Sequence, residues 1–185
     1  MRYLKDNGDI SNRQFGFRQG KSCVTNLLNF YTRVIDNRDG WVDAVYLRVD
    51  IKKVFDRLPH ERLLRKLKHI GGLRGKVLEW MQDYLKDREM RTVIREPTSS
   101  WRNVTSGVPQ GSVLAPIILQ VYVKDMQCGV TSYMNLFADD AKLMRVVKNI
   151  DDCRELQGDV DKIDEWSRRW NLDFNAKKCH VMELD

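Results

Sequence analysis

Phe137-Ala138-Asp139-Asp140 is the stretch on which the reading of this chain turns. Ser132 to Leu136 leads into it and Leu143 to Val147 leaves it, both mostly apolar or strand-forming. Two such runs joined by a tight acidic turn spell a β-hairpin with carboxylates at its tip. A solvated corner has the same local pattern, so a second feature has to decide. Asp50 supplies it, because it ends another apolar run, Ala44-Val45-Tyr46-Leu47-Arg48-Val49. Carboxylates delivered from two strand ends to one place are what a pair of Mg²⁺ ions needs, since hard cations take oxygen ligands.

Outward from these two points the chain alternates helices and strands. Ser22 to about Asn37 is expected as a helix, with Leu27, Leu28, Tyr31, Val34 and Ile35 on one face, and Asp39-Gly40 as the turn after it. Pro59 opens a helix striped by Leu63, Leu64, Leu67 and Ile70 and stopped by Gly71-Gly72. A further helix over Gly75 to Lys86 is expected to bury Val77, Leu78, Met81, Tyr84 and Leu85. Met90 to Arg95 and Trp101 to Thr105 read as short strands around Pro97-Thr98-Ser99-Ser100. The loop Ser106 to Ser112 opens an apolar helix from Val113 to Met126, with Pro116 in its early turns. The clearest helix carries Ile150, Cys153, Leu156, Val160, Ile163, Trp166 and Trp170, capped by Asn149 and begun by Asp151-Asp152. Leu172-Asp173-Phe174 begins a final strand or hairpin. With the middle insertion set aside the order is β-α-β-β-α-β. That is an α+β fold, a split antiparallel sheet with helices on one face, which alone assigns no function.

The chain has 185 residues, 42% of them hydrophobic, enough for one core. Its 32 Lys and Arg against 26 Asp and Glu leave a net charge of +6, suited to a polyanionic partner. Cys23, Cys128, Cys153 and Cys179 form no C-x-x-C pair, and His60, His69 and His180 lie far apart. That spacing argues against structural zinc and against a secreted disulfide framework. No run approaches the ~20 apolar residues of a membrane span, and Met1 to Asp6 has no signal-peptide core. The expected location is intracellular, in the nucleus or cytoplasm.

Five blocks, in order, resemble the reverse transcriptases of non-LTR retrotransposons, jockey-like elements in particular. They are Gln14-Phe15-Gly16-Phe17-Arg18; Leu47 to Asp56; Ser106-Gly107-Val108-Pro109-Gln110-Gly111-Ser112; Phe137 to Asp140; and Trp170 to Lys178 with its Asn and Lys. The resemblance spans nearly the whole chain. It implies a polymerase palm over 43–185, with a fingers-side insertion at about 57–105, and partial helical fingers over 1–42. It implies RNA-directed DNA synthesis with Mg²⁺ (or Mn²⁺), an RNA template, a DNA primer and dNTPs as partners. By the same resemblance Asp50 and Asp139 are the principal metal ligands and Asp140 an auxiliary one. Lys178 matches the lysine that protonates or neutralises the leaving pyrophosphate. Phe55 stands where a ring excludes a 2′-hydroxyl, though a core phenylalanine fits the same position. Pro109, Gln110 and Gly111 form either a nucleotide- and template-contacting loop or a plain helix-opening turn. Arg18 and Lys21 read as template-backbone contacts or as solvated charge, and Asp56 as structural.

Some positions depart from the family pattern. Val54 replaces an alanine and could crowd the nucleotide pocket; Arg48 sits on the strand face of Asp50 where small or apolar residues are usual. Ala115 replaces a glycine, and Gln120 and Lys124 differ as well. The first fingers strands and the thumb of a longer polyprotein are expected outside these residues. A second reading is therefore a truncated or co-opted fragment that binds nucleic acid without catalysis.

Overall fold

The computed structural model describes residues 10–38, 44–69, 72–94 and 98–184. The Asp39-Gly40 turn, Ile70-Gly71, the Arg95–Pro97 part of the middle turn and the first nine residues lie outside them. The elements are α1 (Cys23–Arg38), β1 (Ala44–Asp50), the short α2 (Val54–Arg57), α3 (His60–His69), α4 (Lys76–Leu85), β2 (Glu89–Met90), β3 (Arg102–Asn103), α5 (Leu114–Val123), β4 (Tyr133–Phe137), β5 (Asp140–Val146), α6 (Ile150–Trp170) and β6 (His180–Leu184). A 3₁₀ turn, Lys124–Gln127, follows α5.

β1, β4, β5 and β6 make one antiparallel sheet in the order β4-β5-β1-β6. This is the split β-α-β-β-α-β sheet expected from the sequence. Its register sorts the side chains by face, because directly opposed residues point the same way. Leu47 lies opposite Leu143 and Met134, and Val49 opposite Ala141 and Leu136. These residues join the hydrophobic core with α5 and α6. The other face carries Tyr46, Arg48 and Asp50 beside Met144, Lys142 and Asp140. α5 is buried nearly all round, with Ile118 to Val123 at most 2% exposed, so its sequence is one apolar run rather than a stripe.

α1 forms over the expected residues but not with the expected face inward. Leu27, Leu28, Tyr31 and Ile35 are all exposed. The helix meets the sheet through buried Asn26, through Asn29, which accepts from Asn135, and through Phe30, whose ring lies edge-on to Tyr46 at 4.9 Å. Periodicity locates an apolar face; it does not say what that face meets. α4 likewise buries Met81 and Leu85 and leaves Val77 exposed. The middle strands shrink to two residues each, with a Val93–Thr98 bridge beyond; Met90, Ile94 and Trp101 are exposed, and the Trp101 ring meets the Arg91 guanidinium at 4.6 Å.

α6 begins as expected. The Asn149 side chain accepts from the Asp151 and Asp152 amides, and Asp152 bonds back to the Asn149 amide. Ile150 and Cys153 are exposed, and the helix is anchored at its second half by Ile163 and Trp166. Between α3, α5 and α6 lies a fully buried lysine. Lys66 donates to the Tyr122 carbonyl and pairs with Asp125, and its ammonium stands 3.9 Å from the Trp170 ring centroid and 4.5 Å from that of Tyr122. Burial pushes Lys66 down to about 8, with Asp125 opposing. Between that value and its ordinary 10.5 the unfolded chain holds a proton that the folded chain has released. Folding stability therefore rises with pH across that window. Relative to Lys66→Met, the wild type should gain about 2 kcal/mol between pH 7 and pH 10. Urea denaturation of both proteins checks this; a difference that stays flat with pH would refute it.

Candidate active site

β1 ends and β5 begins at the same edge of the sheet, where Asp50 and Asp140 are paired in register. The turn between β4 and β5 contains Ala138 and Asp139. Asp50 is 7% exposed and Asp139 and Asp140 are half-buried. Burial raises the Asp139 carboxyl above its ordinary value; the charges of Asp140 and Asp50 add to this, against its own backbone hydrogen bond and Lys178. The three acids thus share one small region, as expected.

Their partners differ. Lys178 Nζ stands 3.6 Å from Asp50 Oδ2. The 173–178 loop is carried there by backbone bonds, Lys52 N donating to the Asp173 carbonyl and Asn175 N to the Asp50 carbonyl. Arg48 donates through Nη2 to both oxygens of Asp140, at 3.1 and 3.2 Å. The arginine that departs from the family pattern therefore pairs with Asp140, the acid expected from the sequence to be auxiliary. Asp50, with Lys178 beside it, and Asp139 are the other two acids of this edge. Among the described residues no three His, Cys, Asp or Glu side chains form a metal cage. The donor set is carboxylate oxygen, the kind of ligand a hard cation takes.

The Ser106–Ser112 loop packs on the end of the Asp50 block. Gly107 has φ 81°, and a Cβ there would stand 2.5 Å from the Phe55 carbonyl oxygen. Only glycine allows this approach. Val108 N donates to the Phe55 carbonyl, Ser106 Oγ to the Asp56 carbonyl, and Gln110 Nε2 to Asp56 Oδ1 at 2.7 Å. Asp56, read as structural, holds the glutamine. Half-buried Phe55 lines a cavity of about 390 Å³ with Phe17, Gln110, Gly111, Ser112, Ala115 and Pro116; Pro109 borders an adjoining one that Phe55 and Gln110 also line. Val54, expected to crowd this pocket, is 1% exposed and belongs to the core. Gln120 is buried and donates to the Phe17 carbonyl at 3.3 Å.

Arg18 and Lys21 are placed elsewhere. Arg18 Nη1 donates to the Ser11 carbonyl at 2.6 Å and lines a separate cavity with Ser11, Asn12 and Gln127. Lys21 donates to the Asn12 carbonyl and lies 4.2 Å from the Phe15 ring centroid. Both brace the segment that leads to Gln14. That residue, to which the sequence assigns no role of its own, is 1% exposed and bonds directly to the acidic turn. An amide amid glycines beside two aromatics was the available signal, and it carried no distance.

A family model for reverse transcriptase (RNA-dependent DNA polymerase) matches residues 2–184. The chain belongs to the reverse transcriptase family. This reverse transcriptase chain is 31% identical over 183 residues to the probable RNA-directed DNA polymerase from transposon X-element of Drosophila melanogaster, covering 96% of the chain and 20% of that protein. It is 30% identical to the RNA-directed DNA polymerase from mobile element jockey of the same species, over 90% of the chain and 19% of that protein. The reverse transcriptase chain thus spans about a fifth of the length of these curated relatives. Among solved structures, apo telomerase from Candida tropicalis truncated from its C-terminal domain superposes with TM-score 0.70 at 13% identity, over 100% of this chain and 38% of that one. Telomerase from Candida albicans, solved with a telomeric RNA fragment, gives 0.68 at 16% identity, over 98% of this chain and 34% of that one. At these identities the likeness establishes the fold. No helix among the described residues is long and apolar enough to cross a membrane.

Proposed function

We propose that this chain is the palm, with the inner part of the fingers, of an RNA-directed DNA polymerase from a jockey-like non-LTR element, adding dNTPs to a DNA primer on an RNA template. The observation that carries this reading is the meeting of Asp50 and Asp139 at one sheet edge, with Lys178 beside them. Residues 43–185 form the palm, interrupted by a fingers-side insertion at about 57–105, and residues up to 42 belong to the fingers. Asp50 and Asp139 would hold Mg²⁺ or Mn²⁺, and Asp140 keeps Arg48 in place at the margin. When bound, such ions would supply a lowered pKa for a hydroxyl nucleophile and charge to offset a triphosphate. Lys178, 3.6 Å from Asp50, would neutralise or protonate departing pyrophosphate. Gln110 and Gly111 border the incoming nucleotide, and Arg18 and Lys21 support the template side through the segment they brace. Free cysteines and the positive charge suit the nucleus or cytoplasm.

Phe55 supplies sugar selection by filling the space of a 2′-hydroxyl. Phe55→Ala should raise ribonucleotide incorporation relative to deoxynucleotide by about tenfold to a hundredfold, the scale on which one pocket contact discriminates. Competition between dGTP and GTP in primer extension measures it; an unchanged ratio would leave Phe55 a packing residue. The flanking fingers and thumb hold primer and triphosphate in line in a complete polymerase. The test of the function therefore grafts these 185 residues in place of the matching segment of the X-element polymerase. RNA-templated dNTP incorporation by the graft, lost with Asp139→Ala, is the expected result. Equal background in both would favour a nucleic-acid-binding fragment.

A further inference from the structure

We infer that Gln14 is a positioning residue for the acidic turn, its amide clamping Ala138 so that Asp139 stands beside Asp50. Only the effect of Gln14 on a bound cation rests on the Asp50–Asp139 metal reading. The two-residue turn between β4 and β5 has positive φ at Ala138, 57°, and not at Asp139. That is the type II′ pattern, whose first central position ordinarily takes glycine. An alanine there needs support from outside the hairpin.

Gln14 provides it with one side chain. Its Oε1 accepts from the Ala138 amide at 2.8 Å and its Nε2 donates to the Ala138 carbonyl at 3.1 Å. The same Oε1 accepts from the Gly16 amide at 2.8 Å, which fixes the rotamer. Ala138 is 6% exposed, so without Gln14 both of its backbone groups would lose partners in a buried place. The delivery is also rigid. Phe15 N donates to the Leu136 carbonyl and Leu136 N to the Arg13 carbonyl, which registers Gln14 as a parallel bridge against β4. Gly16 then passes so close that a Cβ would stand 2.4 Å from the Ala138 nitrogen. The segment and the turn are fitted to each other, and the glutamine is the polar joint between them.

The test compares the 185-residue wild type with Gln14→Met, which keeps the length and loses all three bonds. Gln14→Glu serves as the second variant, keeping the acceptor and losing the donor to the Ala138 carbonyl. Amide hydrogen exchange is read residue by residue. Exchange at Ala138 should rise about a hundredfold in Gln14→Met and less in Gln14→Glu, while Leu143 in β5 stays within about threefold of wild type. Affinity for Mn²⁺ alone, read by its paramagnetic effect on water, should fall about tenfold in Gln14→Met. A merely structural glutamine would raise exchange across the whole sheet and leave the affinity of the folded fraction unchanged, and that overturns the proposal. So does turn exchange equal to wild type in either folded variant. Should wild type bind no Mn²⁺, the metal reading of the site fails and the clamp is judged by exchange alone.

Discussion

Asp139→Asn in the grafted polymerase is expected to cut RNA-templated incorporation about a thousandfold or more, the scale on which removal of a preorganised charge acts. The substitution keeps the shape of the side chain, so the turn and the Gln14 clamp remain. What it removes is one of the two carboxylates that no protein cation fully neutralises. Asp50→Asn should cost as much by a different route. It deletes the partner of Lys178 at 3.6 Å and leaves an ammonium at the place where a cation has to sit. Asp140→Asn should cost far less, because its charge is already met by Arg48 at 3.1 Å. The order Asp50 and Asp139 well above Asp140, measured as kcat for dNTP addition, is the specific outcome. In the metal-free protein Asp139→Asn should also raise the melting temperature slightly, since burial and two neighbouring acids disfavour its charged form. Equal losses at all three acids would contradict this account of the site.

The largest effect on stability is expected far from the chemistry, at Asp159 on α6. Its side chain is fully buried, and its carboxylate accepts from the Thr131 and Ser132 amides and from the Thr131 hydroxyl. Lys162 Nζ lies at 2.9 Å and Arg145 Nη2 at 3.7 Å. Burial alone would raise this acid, but the hydrogen bonds from Ser132, Lys162 and Thr131 outweigh it and hold the carboxyl well below the carboxylate range. These bonds tie α6 to the start of β4, the strand that leads to the acidic turn. Asp159→Ala should destabilise by about 3–5 kcal/mol, because it strands buried donors and a partly buried arginine. That is a large part of the roughly 5–15 kcal/mol that holds a domain together. The contribution is present above the unfolded value near 4 and is lost as pH falls toward the folded one. Urea denaturation at pH 7 and at pH 3 should show the gap between wild type and Asp159→Ala narrowing in acid. A gap under about 1 kcal/mol at pH 7 would mean the strand start is held by other groups.

The strands of the acid-bearing hairpin and the capped α6 were legible because each rests on a local rule: period two, a turn, a capping box. Asp50 and Asp139 were legible as partners because each follows an apolar run. The face of α1 was not legible, since its stripe of Leu27, Leu28, Tyr31 and Ile35 obeys the helical period and still points to solvent. Arg48 looked anomalous until the register placed it diagonally across from Asp140. Val54 looked like an intruder in a pocket until the sharp turn at Lys53, φ 48°, sent it into the core. Gln14 and Asp159 both act across more than 25 residues of sequence, on backbone groups that carry no residue-type signal. Side chains that hold the backbone of a distant segment are where sequence reading ends.

A divalent cation held jointly by Asp50 and Asp139 would be located directly by metal-dependent cleavage. Fe²⁺ in place of Mg²⁺, with ascorbate and peroxide, cuts backbone next to wherever the ion is bound, and the fragments of the 185-residue chain report the place. Cleavage clustered at residue 50 and at 137–140, suppressed by excess Mg²⁺ and absent from the Asp50→Asn, Asp139→Asn double variant, is the predicted result. Cleavage centred elsewhere, or unchanged in the double variant, would contradict it.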